Sequence, residues 1–316
     1  MRPSKFLNKR GIIAYSQFDA KATKLSKYDG RIRRIALVII VITLFFSKGV
    51  VLANDVKRPL WDIGVISGFI SWPHYKGSNQ RYSLPIILPY FVYRGEHFRV
   101  NRKGIGGLLW SQAEFTIDLA LSLNPPVKSN NNTVRSNMPD LPWSGEIGPR
   151  LLVLIYHSEL AGKGVLRLPF KLVGNVHGKS IGWTFEPNVL ITSTANSTGW
   201  RSYLNLGMLY GSKKYHDTYY GVQNSYQTDN RPAYSTSEGL HSFFATIGAK
   251  YRATNNFSMG FYVKTHFLDK GVVRDSPLVR EKVSTSSGFW LAYVLGKSKQ
   301  EASDYNTVST STEDSY

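Results

Sequence analysis

The sequence predicts an all-β fold, a transmembrane antiparallel up-and-down β-barrel of about twelve strands. Apolar and polar residues alternate along many segments of about ten residues, as in strands, because successive side chains point to opposite faces. Aromatic residues reach 13%, although only 42% of residues are hydrophobic. Outer-membrane barrels have this composition, because their apolar residues alternate. A soluble β-sandwich or barrel is the alternative, but strand length and charges on the inner face favour the membrane form.

Residues 1–53 have the order of a secretory signal. A long basic region ends at Arg31-Ile32-Arg33-Arg34, an apolar run follows over 35–46, and Val51-Leu52-Ala53 completes the segment. That run is shorter than the roughly 20 residues of a membrane-spanning helix. We therefore expect cleavage after Ala53 and export to the outer membrane of a Gram-negative cell. Either the signal is extended or translation starts downstream, near Leu25.

The mature chain divides into a barrel over 54–296 and a polar periplasmic tail over 297–316, whose composition predicts disorder. The predicted strands are 60–70, 83–93, 96–102, 105–110, 113–123, 145–158, 164–177, 180–192, 199–210, 239–252, 256–267 and 285–296. Long gaps follow only odd strands: the first, fifth, ninth and eleventh. Outer-membrane barrels have short periplasmic turns and long outer loops. Odd strands are therefore expected to run outward, with both ends of the barrel in the periplasm.

The segment 164–192 predicts a hairpin with a two-residue turn at Gly178-Lys179. In that register Lys171 faces Glu186, and Gly174 faces Trp183. Proline cannot donate to a strand ladder, so the prolines within predicted strands conflict with this simple pattern. They are Pro85, Pro89, Pro149, Pro169 and Pro187. We expect bulges or missing hydrogen bonds at Pro169 and Pro187.

Charge and composition exclude several classes of function. The net charge is +18, but residues 1–53 hold 11 Lys/Arg and 2 Asp/Glu, which contribute +9, half of the excess. Nucleic acid is therefore not an expected partner. The chain has no cysteine, which excludes disulfides, thiolate metal sites and a lipoprotein anchor. The histidines lack metal-site spacing, and His241 and Ser242, as neighbours in a strand, should lie on opposite faces. We expect no cofactor, no metal and no enzymatic activity.

Strand parity places nine charged residues on the inner face. They are Asp118, Glu146, Arg150, Arg167, Lys171, Glu186, Arg201, Lys250 and Lys264. They could line a lumen that favours anions, since lining charges set selectivity in pores. They could instead form an internal salt-bridge network that plugs a narrow barrel. The network is the preferred interpretation, because charges in a lumen need partners whether or not solute passes.

The predicted outer loop 211–238 is rich in tyrosine among small polar residues. Its candidate contact residues are Tyr215, Tyr219, Tyr220, Tyr226 and Tyr234. Rigid aromatic groups among adaptable polar groups suit protein or glycan contact. A loop folded over the mouth of the barrel would have the same composition, and the sequence does not separate the two.

Segments between the strands resemble the MipA/OmpV family of outer-membrane proteins, whose name denotes an MltA-interacting protein. The similar segments are Tyr75-Lys76-Gly77-Ser78, Leu88-Pro89-Tyr90 with Tyr93-Arg94-Gly95, Met138-Pro139-Asp140-Leu141, Glu146-Ile147-Gly148-Pro149, Tyr219-Tyr220-Gly221-Val222, and Asp275-Ser276-Pro277-Leu278-Val279.

The resemblance implies a barrel in outer-membrane lipid. It also implies a scaffold that brings together a murein-degrading lytic transglycosylase and a peptidoglycan synthase. A small-solute channel that favours anions and an adhesin acting through outer loops are the alternatives. The family supplies no catalytic residues. The long N-terminal region and the polar tail depart from its usual pattern.

Overall fold

The computed structural model describes residues 59–95, 98–101, 104–112, 114–158, 162–194 and 199–302, all within one compact unit. The predicted signal segment and residues 303–316 of the predicted tail lie outside the described residues. No described helix is long and apolar enough to cross a membrane.

The described chain is dominated by antiparallel strands. They are β1 (Trp61–Pro73), β2 (Arg81–Arg94), β3 (Phe98–Asn101), β4 (Gly104–Gln112), β5 (Phe115–Asn124), β6 (Ser144–Ser158), β7 (Gly162–Asn175), β8 (Ser180–Phe185), β9 (Asn188–Thr192), β10 (Trp200–Gly211), β11 (Gly239–Arg252), β12 (Phe257–Phe267) and β13 (Val283–Lys297). β8 and β9 are two halves of one predicted strand, so the sheet has twelve strand positions.

Strand pairing follows the chain round the sheet. Each position pairs with the next, and β13 pairs with β1 along Asp62–Ser71. Both β8 and β9 lie between β7 and β10. The interruption falls at Glu186 and Pro187, where the proline nitrogen cannot donate. The predicted irregularity at Pro187 is confirmed, and the predicted up-and-down order holds for every described strand.

The β7–β8 turn differs from its prediction. The amide of Gly178 donates to the carbonyl of Asn175 at 3.0 Å, and Gly178 has φ 75°. This is a three-residue loop, a turn followed by a left-handed glycine. Lys171 consequently pairs with Thr184, and Trp183 pairs with Leu172. The predicted register was wrong by two residues. A bulge between Val173 and Gly174 leaves Ile181 as an extra residue. Alternation predicts Ile181 on the outward face with Trp183, but it is buried with Val173 and Tyr215, so that prediction was wrong. Beyond the bulge the shift is even, and residues 182–186 keep their predicted faces.

The two faces of the sheet differ as in a membrane barrel. Apolar side chains such as Ile87, Leu172 and Phe289 are exposed, whereas Thr116 and Asp118 are buried. A soluble protein has the opposite distribution. An apolar wall around a polar interior fits a hydrocarbon surrounding.

The two ends of the barrel are built differently. The end with the long connections 74–80, 125–143, 212–238 and 268–282 is here called the loop end. It contains helix α1 (Lys213–Tyr220) and three short 3-10 helices, Ser129–Asn131, Thr133–Arg135 and Asn224–Tyr226. The opposite end is the turn end. There the chain entering β1 bonds the chain leaving β13, since the amide of Leu60 donates to the carbonyl of Gln300 at 2.8 Å.

Candidate functional site: the capped lumen

The four long connections share one apolar core at the loop end. Its buried members are Tyr75, Val127, Leu141, Tyr220, Val222, Leu268, Val273 and Leu278. Each connection supplies at least one of these side chains. We call this assembly the cap. Its members come from segments far apart in sequence, so the cap forms only when the barrel brings the strand ends together.

Polar groups tie the connections of the cap to one another. The Tyr75 hydroxyl donates to the Leu278 carbonyl at 2.9 Å, and the Ser276 hydroxyl donates to the Tyr220 carbonyl at 2.7 Å. The buried guanidinium of Arg135 donates to the carbonyls of Tyr219 and Pro139, each at 3.1 Å. Buried polar groups bonded in this way stabilise one arrangement of the loops.

Helix α1 is docked onto the sheet by Ser212, the residue that precedes its first turn. The Ser212 hydroxyl accepts hydrogen bonds from the amides of Tyr215 at 3.2 Å and of Trp183, in β8, at 3.1 Å. Serine is a preferred helix cap, because its oxygen satisfies an otherwise unpaired amide. Gly182 permits the approach: a Cβ there would lie 2.1 Å from the Ser212 oxygen, and its φ is 128°. The helix itself was not predicted.

A hydrogen-bonded chain runs from the cap into the strands. The Tyr220 hydroxyl donates to the Lys76 carbonyl at 2.9 Å and lies 2.8 Å from Nε2 of His241. Nδ1 of His241 lies 2.8 Å from the Ser242 hydroxyl, which lies 3.0 Å from Nδ1 of His266. Because the Lys76 carbonyl can only accept, one consistent assignment has His241 Nε2–H donating to Tyr220 and the Ser242 hydroxyl donating to His241.

The predicted separation of His241 from Ser242 was wrong. Between Leu209 and Tyr210, the pairing of β10 moves from Ser242 to Leu240 and leaves His241 as the extra residue of a bulge. A bulge re-aims a side chain, and the two neighbours come into hydrogen-bond contact. Ser242 is 0% exposed, so no substrate reaches its hydroxyl in this conformation. The arrangement links the cap to β11 and β12.

Four ion pairs lie inside the barrel among the described residues. Near the turn end, Arg94 pairs with the buried Asp62 at 2.7 Å. Arg150 forms two bonds to Asp118, at 2.9 and 2.5 Å. Lys171 bonds Glu146, not Glu186, and this correction follows from the register. Glu186 instead pairs with Lys264 of β12 at 3.3 Å. Since β8 and β12 are not neighbours in the sheet, this last pair spans the lumen.

The carboxylate of Glu146 is the most densely bonded of these acids. Besides Lys171, it accepts from the Ser122 hydroxyl at 3.2 Å and from Asn124 at 3.0 Å. From the cap, Lys76 is electrostatically coupled to Glu146 and Glu186, and burial lowers the pKa of its ammonium. Charges of both signs therefore face one another just beneath the cap.

The other three candidate lumen residues lie toward the turn end and are all basic. Arg167 is buried and donates to Asn188 at 2.6 Å. Arg201 and Lys250 are directly opposite on β10 and β11. Like charges on opposite positions repel. Asp62 and Arg94 offset each other at this end, so these three residues give the turn-end part of the interior a net positive charge.

The tyrosines of 211–238 divide into two groups. Tyr215 and Tyr220 are buried, and burial raises the pKa of each phenol well above its usual value. Tyr219, Tyr226 and Tyr234 are half-buried against the same core. The loop folds over the barrel mouth, the second of the two sequence-based alternatives. In this structure Tyr215 and Tyr220 are not available to an outside partner.

Two further titratable groups lie in the cap. Burial raises the pKa of Tyr75 to about 12. Burial lowers the pKa of His216, whose Nδ1 is 2.7 Å from the Ser237 carbonyl. Nδ1 must therefore donate, and the buried Nε2 has no hydrogen-bond partner among the described residues. Within those residues, no group of three or more acidic or histidine side chains could hold a metal ion.

Sequence reasoning singled out the tyrosines of 211–238 but missed the cap residues on the other three connections. Four of the similar segments, around Tyr75, Met138, Tyr220 and Ser276, contribute to it. The available signal was aromatic and aliphatic residues at fixed places within polar loops. Periodicity cannot assign such residues to a core, because they lie outside the alternating strands.

An antiparallel barrel with an apolar wall, a charged interior and long connections at one end is an outer-membrane barrel protein. The model of the family described as MltA-interacting protein MipA matches residues 63–295. The chain belongs to this family.

Solved outer-membrane proteins are similar at low identity. An outer-membrane channel from Pseudomonas putida F1 is 11% identical, with 78% of this chain and 100% of that chain covered and a TM-score of 0.40. Outer membrane phospholipase A from Escherichia coli is 12% identical, with 77% and 94% covered and a TM-score of 0.32. Neisserial surface protein A is 8% identical, with 74% and 96% covered and a TM-score of 0.22. No curated protein sequence matches the chain.

Proposed function

We propose that the protein is a non-enzymatic outer-membrane scaffold whose turn end docks a lytic transglycosylase and a peptidoglycan synthase. The family description names an interaction with MltA. Short turns belong in the periplasm and long loops outside, so the turn end faces the murein layer. This orientation accompanies export through a signal segment that is cleaved after Ala53.

The positive charge at the turn end is the observation that carries the proposal. Lys163, Arg201, Lys250 and Arg252 lie near the turn ends of β7, β10 and β11. The neighbouring segments 162–170, 188–194, 199–205 and 248–256 contain no Asp or Glu. Asp62, Glu114 and Glu301 lie elsewhere at the turn end, so the excess of positive charge is beside β7, β10 and β11. A patch with an excess of one sign attracts a partner surface of the other sign and speeds the encounter. The docking face of the partner should therefore be acidic.

Binding of purified full-length protein to a purified lytic transglycosylase of the MltA type tests this proposal. The double variant Arg201→Glu/Lys250→Glu should weaken binding and reduce its dependence on salt, because screened charge attraction is the cause. Lys214→Glu/Lys270→Glu makes the same change of charge at the loop end and should bind like the natural protein. Heat-dependent gel mobility checks that each variant forms a barrel. Wild-type binding no stronger than that of an unrelated barrel would contradict the scaffold.

A channel that favours anions is the second candidate, and the positive turn-end interior favours it. The paired charges and the cap weigh against an open path through the loop end. Planar-bilayer recording separates the two functions. Steady anion-selective current steps would support the channel, and silence would count against it.

A further inference from the structure

The barrel wall is interrupted between β2 and β5. β3 is short and pairs with β2 only at Tyr93 and Arg94. On this side, residues 81–89 of β2 pair with no strand in the described part of the chain. β4 pairs with β5 only as far as Asp118, so among the described residues 119–124 have no strand on the same side. The β3–β4 hairpin therefore fills only the part of the wall near the turn end. We call the remaining space the wall gap.

The frame of the wall gap is fixed by contacts at its loop end. The Tyr82 hydroxyl donates to the Pro126 carbonyl at 3.1 Å. The Gln80 side chain accepts from the Thr133 amide at 2.6 Å. The connection 125–143 thus joins β2 to β5 above the gap, and the hairpin bounds it below.

Two prolines lie on the open edge strand. Pro85 and Pro89 are four residues apart, and alternate residues of a strand aim their amides at the same neighbour. Both therefore lack a donor on the same edge. Proline in a strand lies where its missing amide faces an open edge. Such an edge cannot form a complete ladder, so a strand from a partner protein is a poor occupant.

The interior on the β2 side of the gap is apolar between Leu84 and Leu88. Ile66, Gly68 and Ile70 pair with Leu88, Ile86 and Leu84, so these side chains share the inward face with the buried Tyr90 and Val92. Leu84 is 39% exposed and Leu88 is 53% exposed, whereas inward Thr116 is fully buried. Charged and polar groups lie around this patch: Arg94 pairs with Asp62 at the turn end of β1 and β2, and on β5 the inward Ser122 and Asn124 bond Glu146. The lumen therefore has an exposed apolar patch beside the wall gap.

We propose that an acyl chain of a membrane lipid enters laterally through the wall gap and lies on this inward apolar patch. The patch continues the lipid-facing surface: Ile87, 75% exposed, points outward and is adjacent to inward Leu88. Pro85 and Pro89 have no amide hydrogen, so this edge exposes fewer polar groups between the bilayer and the patch than an ordinary open edge does. Burying the patch under hydrocarbon removes apolar area from water, which is favourable. The cap closes the other route at the loop end.

Fluorescence quenching by lipids with brominated acyl chains tests the proposal. The natural chain has no cysteine, so single-cysteine variants of the full chain can carry a bimane probe. Leu88→Cys places the probe on the patch, and Ile87→Cys places it on the outer wall. Ser286→Cys places it inside, opposite Lys264 and away from the gap. Each variant is reconstituted in phosphatidylcholine vesicles with or without bromine, after its barrel is verified by heat-dependent mobility.

The probes at 87 and 88 should lose comparable fractions of their fluorescence in brominated lipid, while the probe at 286 should lose little. Adding Leu84→Asn should reduce quenching at 88 and leave 87 unchanged, because the patch becomes polar. Three results would overturn the proposal: position 88 behaves like 286, all three positions are quenched equally, or 87 and 88 are both protected by a second copy in crosslinked dimers.

Discussion

Replacing Lys171 by methionine tests whether the interior beneath the cap is dry. The Lys171 and Glu146 side chains are only 10% and 9% exposed. Without Lys171, the buried carboxylate keeps the Ser122 and Asn124 bonds but loses its opposite charge. Removing one partner of a buried ion pair costs about 3–5 kcal/mol of unfolding free energy, since the other charge is left uncompensated.

The double variant Lys171→Met/Glu146→Gln removes both charges and keeps a polar group for Ser122 and Asn124. It should recover most of the loss, because a buried pair replaced as a unit is often nearly neutral. Guanidinium unfolding in lipid vesicles, followed by tryptophan fluorescence and gel mobility, measures both free energies. Arg274→Ala breaks an exposed pair with Asp275 and should leave stability unchanged.

A loss below about 1 kcal/mol for Lys171→Met, typical of a solvated surface pair, would refute this reasoning. The lumen at this depth would then hold enough water to screen Glu146. In that case the salt-bridge network would not plug the barrel, and the channel would become the better function.

Three other predictions concern the cap. Burial lowers the pKa of His216, so the unfolded loop binds more protons than the folded one. Cap stability should therefore fall as pH drops below about 6.5, and hydrogen exchange of 212–238 should increase. His216→Asn, whose amide can still donate to Ser237, should abolish this pH dependence. Gly182→Ala should undock α1 and raise hydrogen exchange in the same loop. Gly174→Ala is the control, because a Cβ at that position meets no atom closer than 3.7 Å, and it should not raise the exchange. Equal effects of the two variants would contradict the docking contact. Tyr220→Phe removes the bonds to Lys76 and His241 and should cost about 1–3 kcal/mol of unfolding free energy, since buried polar partners are left unmatched; an unchanged denaturation midpoint would show that these bonds are dispensable.

The His241–Ser242 error shows where sequence reasoning from parity stops. Parity assumes an unbroken ladder, and one extra residue on β11 reverses the outcome at that point. Nothing in the residues around His241 marks the bulge, because its cause lies in the pairing with Leu209 and Tyr210 of β10. The hairpin error has a similar origin, since both turn lengths suit Gly178 and only the neighbouring ladder selects one.

The sequence by itself determined the strands, their order, the end at which the long connections lie and, away from the bulges at Ile181 and His241, their inward and outward faces. These properties follow from alternation and spacing, which are local. The tertiary structure alone decided which acid meets which base, since Lys171 reaches a neighbouring strand and Glu186 reaches Lys264 across the lumen. It also decided that the loops form one core and that the short β3 leaves a gap beside β2. Each of these depends on distances between segments remote in the chain, which closing the sheet establishes.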